Sequence, residues 1–357
     1  MCTPYLTASE MAPPLGRATI SMSTISTLSE ASDKWLIAAT SAKQRLDIYV
    51  RQEDRADSKL VVGLKAFLDH LPEGGRETMA RNILESKDDQ ELYRVFHNLL
   101  AGLLATMKTA SPSSAIDSPI EKGKSDVEHV VSTLSEPDKF QDDVFLRDGH
   151  CCVLTQVMNY WHWVDVGEPE YISHADLEAA HIIPFAMDSN NTILLEHDRA
   201  NTWEVLYRYF PGVQNTGTSA DTINDPSNGI ALADFIHKQF RNFRCTFRKT
   251  EIPNQYGLKT YKRFPPALKP LLSSSPVQFE RAENGADVPF PHPDLLDCHY
   301  KIAEILNASG MGEEIDRKQD EWDRMKRNMP DGCLNEDGSS NVADILRTGL
   351  WQKLTGE

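Results

Sequence analysis

The chain has 357 residues, 40% of them hydrophobic, and a formal net charge of -16. That length holds one large domain or two ordinary ones, and the apolar content is enough for a core. The acidic surplus disfavours indiscriminate adhesion to a phosphate backbone. There is no apolar run of the roughly 18 residues that a membrane span needs, and no basic-then-apolar leader at the N-terminus. The six cysteines (Cys2, Cys151, Cys152, Cys245, Cys298 and Cys333) are scattered rather than spaced as zinc pairs. The expectation is an intracellular protein, nuclear or cytoplasmic, with reduced thiols.

Residues 1–30 are rich in Ser, Thr and Pro and read as a disordered tail. Residues 31–109 carry helical stripes, such as Leu60, Leu64, Phe67 and Leu68, then Leu92, Val95, Phe96 and Leu99. Two Ser-Pro steps break the pattern, so 110–126 reads as a linker between a small mainly helical region and a second domain over 127–316. Within that domain Asp148-Gly149 predicts a turn, Cys152, Val153 and Leu154 a strand, and Leu177 to Ile183 a second strand stopped by Pro184. The residues from Gly229 to Phe243 read as one helix entered at Asn228-Gly229, with Leu232, Ile236, Phe240 and Phe243 on its apolar side. A Pro-rich stretch from Pro265 to Pro293 is expected to wrap the module, and Pro293 to Leu306 turns helical. The charged end from Gly312 is expected to form a solvent-exposed helix and then a loose tail, with 317–357 set apart as the charged C-terminal segment.

Two features bear on chemistry. Between Gly229 and Arg263 eight basic residues face two acids, Asp234 and Glu251, a local balance of +6 in an acidic chain. The polar side of the expected helix carries Asp234, His237, Arg241 and Arg244, which suits an ion or phosphate site and resembles an ordinary solvated face equally well. His181 precedes Pro184 at a strand end, where an imidazole near pKa 6.5 can take a proton from water. His150, His162 and His174 fall in a loop-rich insertion and are expected to be solvated. Cys152 is expected to be a small buried residue.

The runs R-D-G-x-x-C from Arg147, A-A-H-I-I-P from Ala179, I-N-D-P-S-N-G-I-A-L from Ile223 and I-H-K-Q-F from Ile236 resemble the HNH nuclease module of fungal proteins. W-E-V-L-Y-R-Y-F-P from Trp203 and the block from Leu295 extend the likeness over about residues 140–316. The resemblance implies an α+β fold built on a ββα-metal module with a long insertion. It implies a metal-dependent endonuclease using Mg²⁺ or a similar divalent ion and acting on nucleic acid; DNA is expected ahead of RNA, which the sequence leaves open. In these terms His181 is the general base, Asn228 braces its loop and His237 is the metal ligand. Arg241, Arg244 and Arg248 are phosphate contacts, with Glu178 and Asp234 in a second tier. Such enzymes commonly carry Asp or His before the base, where this chain has Ala180. Many carry an acid or His four residues after the helix histidine, where it has Arg241. From Ala180's side of the strand, Glu178 is expected to help only through a water or a bulge. The rival reading is a degenerate pseudo-nuclease that binds nucleic acid or protein, and a purely structural helical protein is a third.

Overall fold

A computed structural model describes residues 22–52, 57–109, 136–184, 196–273, 276–285 and 287–328. The region read as the linker lies outside them, as does 329–357. The helical half comprises α1 (Met22–Asp47), α2 (Leu60–His70), α3 (Gly75–Glu85) and α4 (Asp89–Leu99), then a π turn over Leu100–Ala105 and α5 (Thr106–Thr109). α1 begins inside the stretch read as a tail. α4 starts where it does because Asp88 accepts a hydrogen bond from Glu91 N at 2.8 Å, satisfying a donor the first turn leaves free.

The second half is mixed helix and small sheets: α6 (Glu136–Arg147), β1 (Met158–Asn159), α7 (Tyr160–Asp165), β2 (His174–Ala175), β3 (Leu177–His181), α8 (Glu196–Tyr209) and α9 (Pro211–Asn215). There follow β4 (Gly229–Ala233), α10 (Asp234–Arg241), β5 (Cys245–Lys249), β6 (Gln255–Thr260), β7 (Val277–Gln278), α11 (Pro293–Ser309) and α12 (Met311–Asn328). β3 pairs antiparallel with β4, from Leu177 opposite Ala233 to His181 opposite Gly229, and β5, β6 and β7 form a second antiparallel sheet. Gly310 adopts a left-handed φ of 68°, which a side chain resists, and so separates α11 from α12.

Two expectations are corrected here. Gly229 to Ala233 is a strand, and the helix begins only at Asp234. All five strand residues are buried, so they show no alternation, and their apolar spacing runs on into the helix behind them. Cys152, Val153 and Leu154 form a turn and not a strand. Cys151 makes an isolated bridge to Met158, and Val153 N reaches Ala231 O at 3.1 Å. Cys152 itself is fully buried.

The two halves share one core. A continuous apolar cluster runs from Leu46, Phe67 and Phe96 through Leu206 to Ile236, Phe240 and Leu306. α11 is its common wall, packing on β5 on one side and on α2 on another, while α8 packs on α3 and the π turn. The Pro-rich strap ties in through Ser273 N to Leu154 O and Ala282 N to Arg147 O, at 2.6 and 2.9 Å.

Candidate active site

The site is built where α10 lies against β3. On α10, Ile236 and Phe240 are buried, leaving Asp234 exposed and His237 and Arg241 half-buried. His237 Nδ1 hydrogen-bonds Glu178 Oε2 across the strand–helix boundary. Glu178 thus meets the helix histidine directly, with no bulge. That bond holds its carboxyl below the usual range. Burial opposes the shift, and the charges of His237 and Arg241 add to it. Asp234 lies apart from this pair. Its backbone N–H donates to Asp176 O and its carboxylate accepts from Phe235 N, so it shapes the helix start.

His181 ends β3. Its ring stacks on Phe140 of α6, centroids 4.2 Å apart at 13°, and its Nε2 lies 3.0 Å from Asn224 Oδ1. An amide oxygen only accepts, so Nε2 carries the proton and Nδ1 keeps the lone pair. Nδ1 has no hydrogen-bond partner among the described residues. Burial pulls the imidazole below its ordinary pKa, Asn224 works against this, and His237 adds to it. The ring is therefore neutral near pH 7 and able to accept a proton.

Asn228 is fully buried and works on backbone. Its Oδ1 accepts from Ile183 N at 2.9 Å, and its Nδ2 donates to the carbonyls of Ile183 and Ile223 at 3.3 and 3.0 Å. Its own carbonyl accepts from Ile182 N. It braces the chain just past His181 and does not reach an open surface, which makes it a positioning residue. Beneath it, Arg147 is wholly buried, ion-paired to Asp148 at 2.7 Å, and donates to the carbonyls of Pro226, Pro289 and Gly229 at 2.8, 3.0 and 2.8 Å. Asp148 in turn accepts from Ala231 N at 2.9 Å. Asp148, expected only to make a turn, joins Arg147 in clamping β4.

The three arginines do not form one surface. Arg241 stands beside Glu178. Arg244 lines a shallow cleft with Lys108, Arg263, Asn307 and Asp316. There Lys108 is buried and paired with Asp316 at 2.6 Å. Arg248 is exposed on β5, in the other sheet. Of the histidines expected to be solvated, His174 is exposed and stacks on Trp163 at 4.0 Å, whereas His150 and His162 are half-buried and stack on each other at 4.0 Å. Burial, then His162, keeps His150 below its ordinary pKa. Asn224 and Phe140, which fix the His181 ring, were not singled out by sequence. Asn224 stood inside a quoted motif without a role, and nothing local marks Phe140.

Two metal-capable side chains, Glu178 and His237, therefore stand side by side. Among the described residues no three of His, Cys, Asp and Glu come together as a metal-binding group. No helix among them is long and apolar enough to cross a membrane.

A family model described as HNH endonuclease matches residues 152–248, which supports an HNH-domain protein and nuclease-type chemistry on nucleic acid. No curated protein and no solved structure matches the chain.

Proposed function

We propose that the chain is a metal-dependent HNH endonuclease that hydrolyses phosphodiester bonds, with β3, β4 and α10 as its ββα-metal unit. The observation that carries this reading is the His181 ring held through Nε2 by Asn224, with no partner for Nδ1 among the described residues, at the end of the strand whose Glu178 grips His237. His181 is the general base, taking a proton from the attacking water at Nδ1. Glu178 and His237 suit an open site for Mg²⁺ or a similar ion, which keeps waters and takes its remaining ligands from the substrate phosphate. They are too few for a closed zinc site. Such an ion supplies charge stabilisation to the phosphate. Arg241 adds a fixed positive charge beside it, as a phosphate clamp. Asn228 and Asn224 act through His181, one by bracing its loop and one by fixing its tautomer. DNA is the preferred substrate.

Cleavage of a plasmid and of a structured RNA should be measured with Mg²⁺ and with chelator, for the wild type and His181→Ala. The expected outcome is metal-dependent cutting that falls at least about a hundredfold in the variant. The loss of stability should be only on the order of 1 kcal/mol, from the stacking on Phe140. Cutting by His181→Ala at the wild-type rate would falsify its role as base. The rival, a binding module with a decayed site, is favoured by Ala180 and by the cation at Arg241. Arg241→Asp separates the two. If this variant binds Mg²⁺ more tightly by calorimetry and cuts faster, Arg241 is a relic of decay. If it cuts more slowly, Arg241 is a clamp.

A further inference from the structure

The segment between Met158 and Asp176 presents a surface that the cleavage reading does not use. Trp161 is 67% exposed, Tyr171 97% and Val166 51%. The rings beneath are held in place: Tyr160 meets Trp161 edge-on at 5.2 Å, Trp163 stacks on His174 at 4.0 Å, and Trp163 Nε1 donates to Pro169 O at 3.1 Å. The same segment carries four exposed acids, Asp165, Glu168, Glu170 and Asp176, and the sequence holds no Lys or Arg between Arg147 and Arg199. Exposed Trp and Tyr are what binding hot spots are made of, and Trp161 rests edge-on against another ring of the segment, which leaves it less ordering entropy to lose. Carboxylates beside ring faces select a cation, through ion pairing and cation–π contact.

We infer that this acidic aromatic knob docks a flexible Arg- and Lys-rich segment of another protein. The four carboxylates repel a phosphate backbone, which disfavours base stacking as its purpose. A second copy of this chain is a poor occupant, because many of its basic groups are engaged: Lys259 with Glu304, Arg263 with Glu313 and Asp316, and Arg244 with Gln239. The inference stands independently of whether the neighbouring site cuts nucleic acid.

The test is titration of the full chain with a short Arg-Gly peptide, followed by tryptophan fluorescence and calorimetry. The comparisons are the charge-neutral double variant Trp161→Ala/Tyr171→Ala and the variant Glu168→Gln/Glu170→Gln. Both alter exposed positions, and folding is checked by circular dichroism. The expected result is binding that weakens about tenfold or more in the aromatic variant and loses salt dependence in the acid variant. Equal binding by the aromatic variant would show only the pull of the chain's overall charge, and overturns the inference. So does a dimer in sedimentation that Trp161→Ala dissociates, or a single-stranded oligonucleotide whose binding is lost in the same variant.

Discussion

At the scale of single residues, the candidate base is set by its neighbours. Burial keeps His181 below pKa 6.5, so the acid limb of the rate profile for cleavage should fall below pH 6.5, the base being active when deprotonated. Asn224→Asp places a carboxylate at Nε2, favours the protonated ring, and should move that limb upward by about one pH unit. A limb that stays put in the variant removes Asn224 from the assembly. His181, Asn228 and His237 could be singled out because their motif runs are contiguous. The Glu178–His237 bond could not, because it joins residues far apart in the chain, and the strand spacing considered from Ala180 concerns a different pair of atoms. Arg147 was hidden for another reason. A buried arginine is recognisable only by the carbonyls gathered round it, and those come from two segments far along the chain, Pro226 with Gly229 and Pro289.

At the scale of elements, β4 shows what an apolar run conceals. A strand buried on both faces and a helix can share a hydrophobic pattern, and here only the pairing with β3 decides between them. Gly229 is required at that edge, since a Cβ there would stand 2.6 Å from Val144 Cγ2 and 2.7 Å from Phe140 Cζ. The Arg147–Asp148 clamp should be correspondingly costly to break. Arg147→Met leaves Asp148 charged and buried and the three carbonyls without their donor, and should cost about 3–5 kcal/mol in urea unfolding. A loss under about 1 kcal/mol would mean that water replaces the clamp. α10 has its own brace. His299 of α11 is sandwiched between Phe240 and Phe243, donates from Nε2 to Phe240 O at 3.2 Å, and accepts at Nδ1 from Thr246 at 3.0 Å. The helix bearing His237 is thus pinned at its far end by a wall of the core.

At the scale of the molecule, that same His299 couples the fold to pH. Burial lowers its pKa to about 3, whereas in the unfolded chain it is near 6.5. Below pH 6.5 the unfolded state therefore binds the extra proton, and stability falls as pH drops toward 3, by about 2 kcal/mol at pH 5. His97, His150 and His181 are pulled the same way. Urea titrations at pH 7 and 5 should show the loss, and a His299→Gln variant should show a shallower one. An unchanged slope would move the effect to other groups. The helical half and the second half were legible as patterns, but their union was not. α2 on α11, α3 on α8, and Lys108 with Asp316 join residues that no local period connects. Residues 127–316 expressed alone should accordingly unfold with weak cooperativity, exposing the faces that α2, α3 and the π turn cover, and sharp two-state melting would count against a shared core.

The matched stretch 152–248 contains His181, Glu178 and His237. It omits Phe140 and Arg147, which lie on one side of it, and His299, which lies on the other. The stretch that matches the family model and the stretch that holds the site together are here different lengths. Grafted into a foreign host, the matched piece would carry His181, Glu178 and His237 without the ring and the buried pair that hold their strand and helix in place.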